Sequence, residues 1–74
     1  MTLSERGASE DEVEETIALG DTEPQRFERT KFFHHFQFNK EWNGVTYRFK
    51  KVEVIAVWED DGWVVITVVV EFIL

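Results

Sequence analysis

The sequence predicts an α+β fold: a short N-terminal helix, or two, packed on a three-stranded antiparallel β-meander. Three stretches predict it. Residues 9 to 19 form a capped, acidic run with apolar side chains at helical spacing. Asn43-Gly44 separates two long runs rich in aromatic and β-branched residues, and this dipeptide is the strongest short hairpin signal. Asp61-Gly62 plays the same part between Val52 to Trp58 and Trp63 to Leu74.

Taken in order, Arg6-Gly7-Ala8-Ser9 punctuates two helices. Gly7 suits the left-handed conformation that closes a first one, of which Met1 to Arg6 is present. Ser9 is a good N-cap with Glu12 three residues on, a capping box, and Ala8 sits where a weak staple to Val13 forms. Glu10, Asp11 and Glu12 occupy the first turn, where carboxylates favour the helix dipole. The helix spans Glu10 to Leu19 and is stopped by Gly20, with Val13, Thr16, Ile17 and Leu19 as a thin buried stripe. So small an apolar face holds only when docked on a sheet. Asp21 to Gln25, with Pro24, reads as a connection.

Strands are expected over Phe27 to Trp42, Val45 to Trp58 and Trp63 to Leu74. A two-residue loop at Asn43-Gly44 puts Trp42 opposite Val45, and in the same register Phe38 meets Phe49, Phe36 meets Lys51 and His34 meets Glu53. One face then collects Phe32, His34, Phe36, Phe38, Val45, Tyr47, Phe49, Ile55, Val57, Ile66, Val68, Val70 and Phe72, and the helix docks there. The other face is basic near the first turn, through Lys31, His35, Arg48 and Lys50 beside Phe33. It turns apolar through Val52, Val54, Ala56, Trp58, Val65 and Val69, a candidate contact surface. Strict alternation buries Lys51 and Glu53 among aromatics. A β-bulge at Lys50-Lys51 turns both outward and swaps the faces beyond it; without one, His34, Lys51 and Glu53 form a buried polar cluster.

At 74 residues the chain is one small domain, of a size at which a single core stabilises only marginally and oligomerisation often helps. No cysteine is present, so disulfides are excluded, and the expectation is a cytoplasmic protein. Residues 1 to 24 lack the apolar centre of a signal peptide, and Glu71 interrupts a C-terminal run too short to span a membrane. Net charge is −7 and lies wholly in residues 1 to 24, where eight acids face Arg6 alone. Arg26 to Lys51 holds seven bases against Glu28 and Glu41. That division suits attraction between helix and sheet, and equally a sheet surface that binds a polyanion.

The order Arg-Gly-x-Ser, acidic helix, basic aromatic strand, then Val-Glu-Val-Ile-Ala-Val and Val-Val-Ile-Thr-Val-Val-Val resembles a small bacterial family, Domain of Unknown Function 4258. The resemblance runs from Arg6 to Phe72 on soft motifs: Arg6-Gly7, Ser9 as helix cap and Ile66-Thr67-Val68. It implies a RelE-like or BrnT-like fold, related to toxin-type ribonucleases of toxin–antitoxin pairs. Members usually open with a strand and a longer helix bearing a His-Ala pair and an Arg-Met pair. This chain starts a few residues before Arg-Gly, so by the resemblance it lacks that front, and no role of the family's histidine carries over.

Chemistry alone selects the candidate site. Metal-independent RNA cleavage needs a proton acceptor, a proton donor and cations on the phosphate. His35, Arg48, Lys50 and Lys31 offer these on one face, with Phe33 for base stacking; His34, Glu53, Lys51 and Tyr47 are the alternative set on the other. The structural readings beside these are hydrogen-bonded core histidines and solvated basic residues that guard a sheet against aggregation. Adjacent His34 and His35 point to opposite faces and cannot share one zinc ion, and no nucleotide loop is present, so neither metal nor cofactor is expected. Two functions follow. One is a RelE-like ribonuclease with RNA as substrate, held by an antitoxin-like protein. The other is a non-catalytic homodimeric interaction domain whose apolar face, with Val54, Trp58, Val65 and Val69, or whose C-terminal strand pairs with its copy.

Overall fold

The computed structural model describes residues 7–74, with Trp42 by its backbone alone. The expected first helix, Met1 to Arg6, lies outside the described residues. The element order is α1 (Glu10–Leu19), β1 (Asp21–Pro24), β2 (Arg29–Trp42), β3 (Val45–Glu59) and β4 (Gly62–Ile73). The strands form one antiparallel sheet in the order β1-β2-β3-β4, and α1 packs over β2 and β3. The α+β class and the helix bounds agree with the sequence reading. The sheet has four strands rather than three, because Asp21 to Pro24 is not a mere connection. Those residues carry no apolar side chain that would mark a strand, yet Asp21, Thr22, Glu23 and Pro24 pair with Phe33, Phe32, Lys31 and Thr30.

Helix α1 begins as its sequence dictates. Ser9 Oγ accepts from the Glu12 N–H at 3.1 Å while the Ser9 N–H donates to Glu12 Oε1 at 3.0 Å, the reciprocal capping box. Its buried stripe is Val13, Thr16 and the partly buried Ile17, whereas Leu19 is exposed. Thr16 can lie in the core because its hydroxyl donates to the Glu12 carbonyl at 2.7 Å, leaving no unmet polar group. Gly7 has φ +85, as expected of a left-handed position. Gly20 ends the helix in an extended conformation instead, and glycine is needed there for space. A Cβ at Gly20 would lie 2.5 Å from the carbonyl oxygens of both Thr16 and Phe33.

Asn43-Gly44 forms the expected two-residue turn, with φ +52 and +78 and Trp42 opposite Val45. The second turn is one residue off: Asp60 and Asp61, at φ +49 and +63, make the loop and Gly62 opens β4 opposite Glu59. Aspartate tolerates this region by bonding its own backbone, so the glycine was not required inside the turn.

The larger correction is to the register. Lys40 pairs with Tyr47 but Gln37 pairs with Phe49, so one residue of β2 has no partner across the sheet, and Asn39 takes φ +48 there. The bulge sits in β2 rather than at Lys50-Lys51. Beyond it Phe36 meets Lys50, His34 meets Val52 and Phe33 meets Glu53, in place of the expected pairs. The faces swap as a bulge demands. Lys50, Val52, Val54 and Ala56 lie beneath the helix with Phe32, Val68, Ala8 and Val13, while Phe49, Lys51, Glu53, Ile55 and Val57 take the open face. The β2 assignment stands: Phe32 is 4 % exposed and Phe36 packs against the core. Val52, Val54 and Ala56 are short side chains, which lets α1 approach the sheet closely. A second irregularity, in β4, leaves Ile66 without an opposite residue between the pairs Ile55–Thr67 and Ala56–Val65.

Candidate functional site

The residues proposed for RNA chemistry are divided between the two faces. His34 lies on the helix face, its Nε2 3.8 Å from Glu15 Oε2 and its ring edge-on to Phe36 at 4.9 Å. His35 is exposed on the open face, opposite Lys51. Arg48 is exposed across from the β2 bulge. Tyr47 stacks its half-buried ring 5.8 Å from that of Phe72. The buried cluster of His34, Lys51 and Glu53 does not form, because the bulge places Lys51 and Glu53 on the open face and His34 on the other.

Most of the expected phosphate-binding cations are occupied within the chain. Lys50, assigned to an open basic face, is instead buried under α1. Its Nζ donates to the Gly7 carbonyl at 2.8 Å and lies 2.8 Å from both Glu12 oxygens. Burial by itself would raise the Glu12 carboxyl, but the Lys50 and Ser9 hydrogen bonds and the Lys50 charge outweigh it and hold that carboxyl below its usual range. The capping-box glutamate thus does double duty, closing the helix start and neutralising the buried lysine that ties the sheet to the segment before it. The sequence carried a signal for this: Lys50 is in phase with the small residues Val52, Val54 and Ala56, which suit a helix-covered face.

On the open face Lys51 bonds Glu53 at 3.0 Å and sits 5.5 Å over the Phe33 ring, and the Glu53 hydrogen bond raises the lysine above its ordinary value. Lys31 faces Glu23 of β1 at 3.8 Å. Phe33 is therefore half covered by a cation already paired to a carboxylate. Among the described residues no group of three His, Cys, Asp or Glu side chains is placed to hold a metal ion.

The residues proposed as a partner surface also separate. Val54 is fully buried in the core beneath α1 rather than on an open surface. Trp58 and Val65 lie on the helix side, beyond the reach of α1, at 54 % and 40 % exposure; the Trp58 and Trp63 rings meet edge-on at 5.1 Å, and Trp63 meets Phe32 at 4.8 Å. Val69 is 49 % exposed on the open face. What unites Val65 and Val69 is not a face but a strand. Among the described residues β4 is an outer strand, twelve residues long, and Val64, Val65, Ile66 and Val69 are all exposed along it. Comparison with protein-family models, curated proteins and solved structures finds no match for this chain.

Proposed function

We propose that this chain is a non-catalytic interaction module that pairs with a second copy of itself along β4. The observation that carries the reading is the character of that edge: twelve residues, one charged side chain (Glu71), and apolar groups exposed on both faces. An outer strand presents a row of backbone N–H and C=O groups that a further strand can satisfy. Proteins that stay monomeric blunt such edges; β4 has the irregularity at Ile66 and the single charge of Glu71, and the rest of its length is apolar apart from Thr67.

Three features favour a second copy as the occupant. Among the described residues seven hydrophobic side chains are buried, a small core for a free-standing domain, and added apolar burial offsets that shortage. The acidic side chains that give the chain its charge of −7 lie mostly on α1 and β1, away from the pairing edge, so two copies meet without strong repulsion. Antiparallel pairing of β4 with its copy is also isologous, so it closes as a two-fold dimer with one eight-stranded sheet and leaves β1 at each end. The ribonuclease reading needs an acid, a base and free cations gathered on one surface. This reading asks for no such cluster.

Light scattering across a dilution series tests it. Wild-type protein is expected at twice the chain mass down to about 10 μM, and Val64→Lys with Val69→Lys at the monomer mass, its far-ultraviolet spectrum unchanged, for a loss of at least ~100-fold in association. A wild-type monomer at about 100 μM, equivalent to a Kd too weak for a stable dimer, would remove the proposal.

A further inference from the structure

The connection between β1 and β2 walls a cavity of about 400 Å³ on the open side of the sheet, lined by Arg26, Phe27, Arg29, Ile55, Ile66 and Thr67. That volume falls within the range of small-ligand sites. The loop is fastened at both ends: the Gln25 N–H donates to the Arg29 carbonyl at 2.8 Å and the Arg29 N–H to the Arg26 carbonyl at 3.3 Å. Between them Phe27 and Glu28 both hold left-handed backbone, φ +59 and +60, a conformation that side chains of their size rarely adopt. Its consequence is that Phe27 stands 82 % exposed at the cavity mouth, where burial would ordinarily be favoured. Across the cleft, Ile66 is the unopposed residue of the β4 irregularity, and such irregularities re-aim a side chain.

Among the described residues Arg26 and Arg29 share the lack of an ion pair with Lys40 and Arg48, but Arg26 and Arg29 line a cleft. Lys31, Lys50 and Lys51 each have a carboxylate within 3.8 Å or less, whereas neither Arg26 nor Arg29 forms an ion pair among the described residues. In a chain of net −7, two arginines without a counter-ion line one cleft beside the apolar Ile55 and Ile66, a combination suited to an anion with an apolar body. We propose that this cavity binds a small organic anion with a flat apolar body. Arg26 and Arg29 hold its phosphate or carboxylate, Ile55 and Ile66 take the body, and the Phe27 ring closes over it. The two charges of a phosphate monoester match two guanidiniums better than one carboxylate does, so the phosphate is the tighter ligand. Nothing in this site requires β4 to be paired.

Titration of the isotope-labelled full chain followed by amide NMR tests it, with phenyl phosphate and benzoate as probes and neutral benzamide as control. Saturable shifts are expected at the amides of Arg26 to Arg29 and at Thr67, with phenyl phosphate tighter than benzoate and benzamide at least ~10-fold weaker than either. Arg26→Gln with Arg29→Gln is expected to lose at least ~10-fold in affinity for phenyl phosphate while keeping the wild-type spectrum elsewhere. Absence of saturable shifts with both anions up to about 10 mM, enough to fill a site with Kd near 1 mM, overturns the proposal. Equal binding of benzamide and benzoate to the wild-type chain overturns it as well, whether or not the arginine variant folds.

Discussion

β1 and β4 both end the sheet, but they end it differently. β1 runs four residues, all exposed, with Asp21, Glu23 and Pro24 among them; β4 runs twelve with Glu71 as its single charge. Proline offers no backbone N–H and carboxylates repel an incoming acidic strand, so β1 is protected by chemistry as well as by shortness. β4 has length and apolar side chains instead. The difference teaches that one sheet can protect one edge and leave the other open, and under the proposed pairing it is this asymmetry that limits association to a closed pair. A copy docking its β4 on this β1 would build a fibre. A copy docking β4 on β4 stops at two.

The most severe way to break this asymmetry is to dislodge the short edge. Gly20 joins α1 to β1 with backbone packed against backbone, so the methyl group of Gly20→Ala meets two carbonyl oxygens at 2.5 Å with no flexible side chain to yield. The expected cost is about 2 to 3 kcal/mol, the scale of an overpacked interior, or roughly 10 to 20 °C in Tm for a domain of this size. Thermal unfolding monitored by circular dichroism measures it. A Tm within a few degrees of wild type would mean that β1 is not held where the structure puts it.

A gentler intervention leaves β1 in place and removes its guards. Glu23→Val together with Pro24→Val gives this edge the character of β4, and light scattering should then show masses above the dimer that grow with concentration. Association beyond the dimer is expected to tighten at least ~10-fold, about 1.4 kcal/mol. If the mass stays at the wild-type value, the protection of β1 resides in its length alone.

How far the sequence disclosed these edges depends on what kind of signal each element carries. Ser9 with Glu12, the helix stripe and Asn43-Gly44 are local motifs whose chemistry acts within a few residues, and each appears where it was expected. β1 carries no such motif. It is a strand only because β2 offers it partners, a tertiary cause that hydrophobic patterning does not record. The bulge shows the middle case. A break in alternation was legible from Lys51 and Glu53, but the residue that absorbs it, Asn39, lies on the neighbouring strand, where asparagine tolerates positive φ. A bulge at either place carries Val54 into the core, but only its position in β2 carries Lys50 beneath the helix, and with these two residues went two of the expected site assignments. The Lys50–Glu12 bond joins residues thirty-eight apart in sequence, so only the correct register reveals it.

That bond also bears on the open edge. The carbonyl that Lys50 holds belongs to Gly7, where an added Cβ would meet the Phe72 ring at 3.4 Å and Val70 at 3.6 Å, so the clamp holds this residue against the helix side of β4. Glu12→Gln isolates the clamp's charge, since glutamine also serves as the third residue of a capping box. Lys50 then keeps its Gly7 carbonyl but loses its counter-charge, for an expected cost of about 1 kcal/mol near neutral pH. The pH dependence follows from the depressed Glu12 carboxyl. A carboxylate bound more tightly in its charged form when folded contributes its full stability above the ordinary carboxylate range, and the contribution drains away as pH falls through the lowered folded value. Wild type and Glu12→Gln should therefore differ at pH 7 and converge in acid, as read from urea unfolding at a series of pH values. Curves that stay parallel down the whole series would assign the loss to packing, and the seating of Gly7 against β4 would then owe nothing to charge.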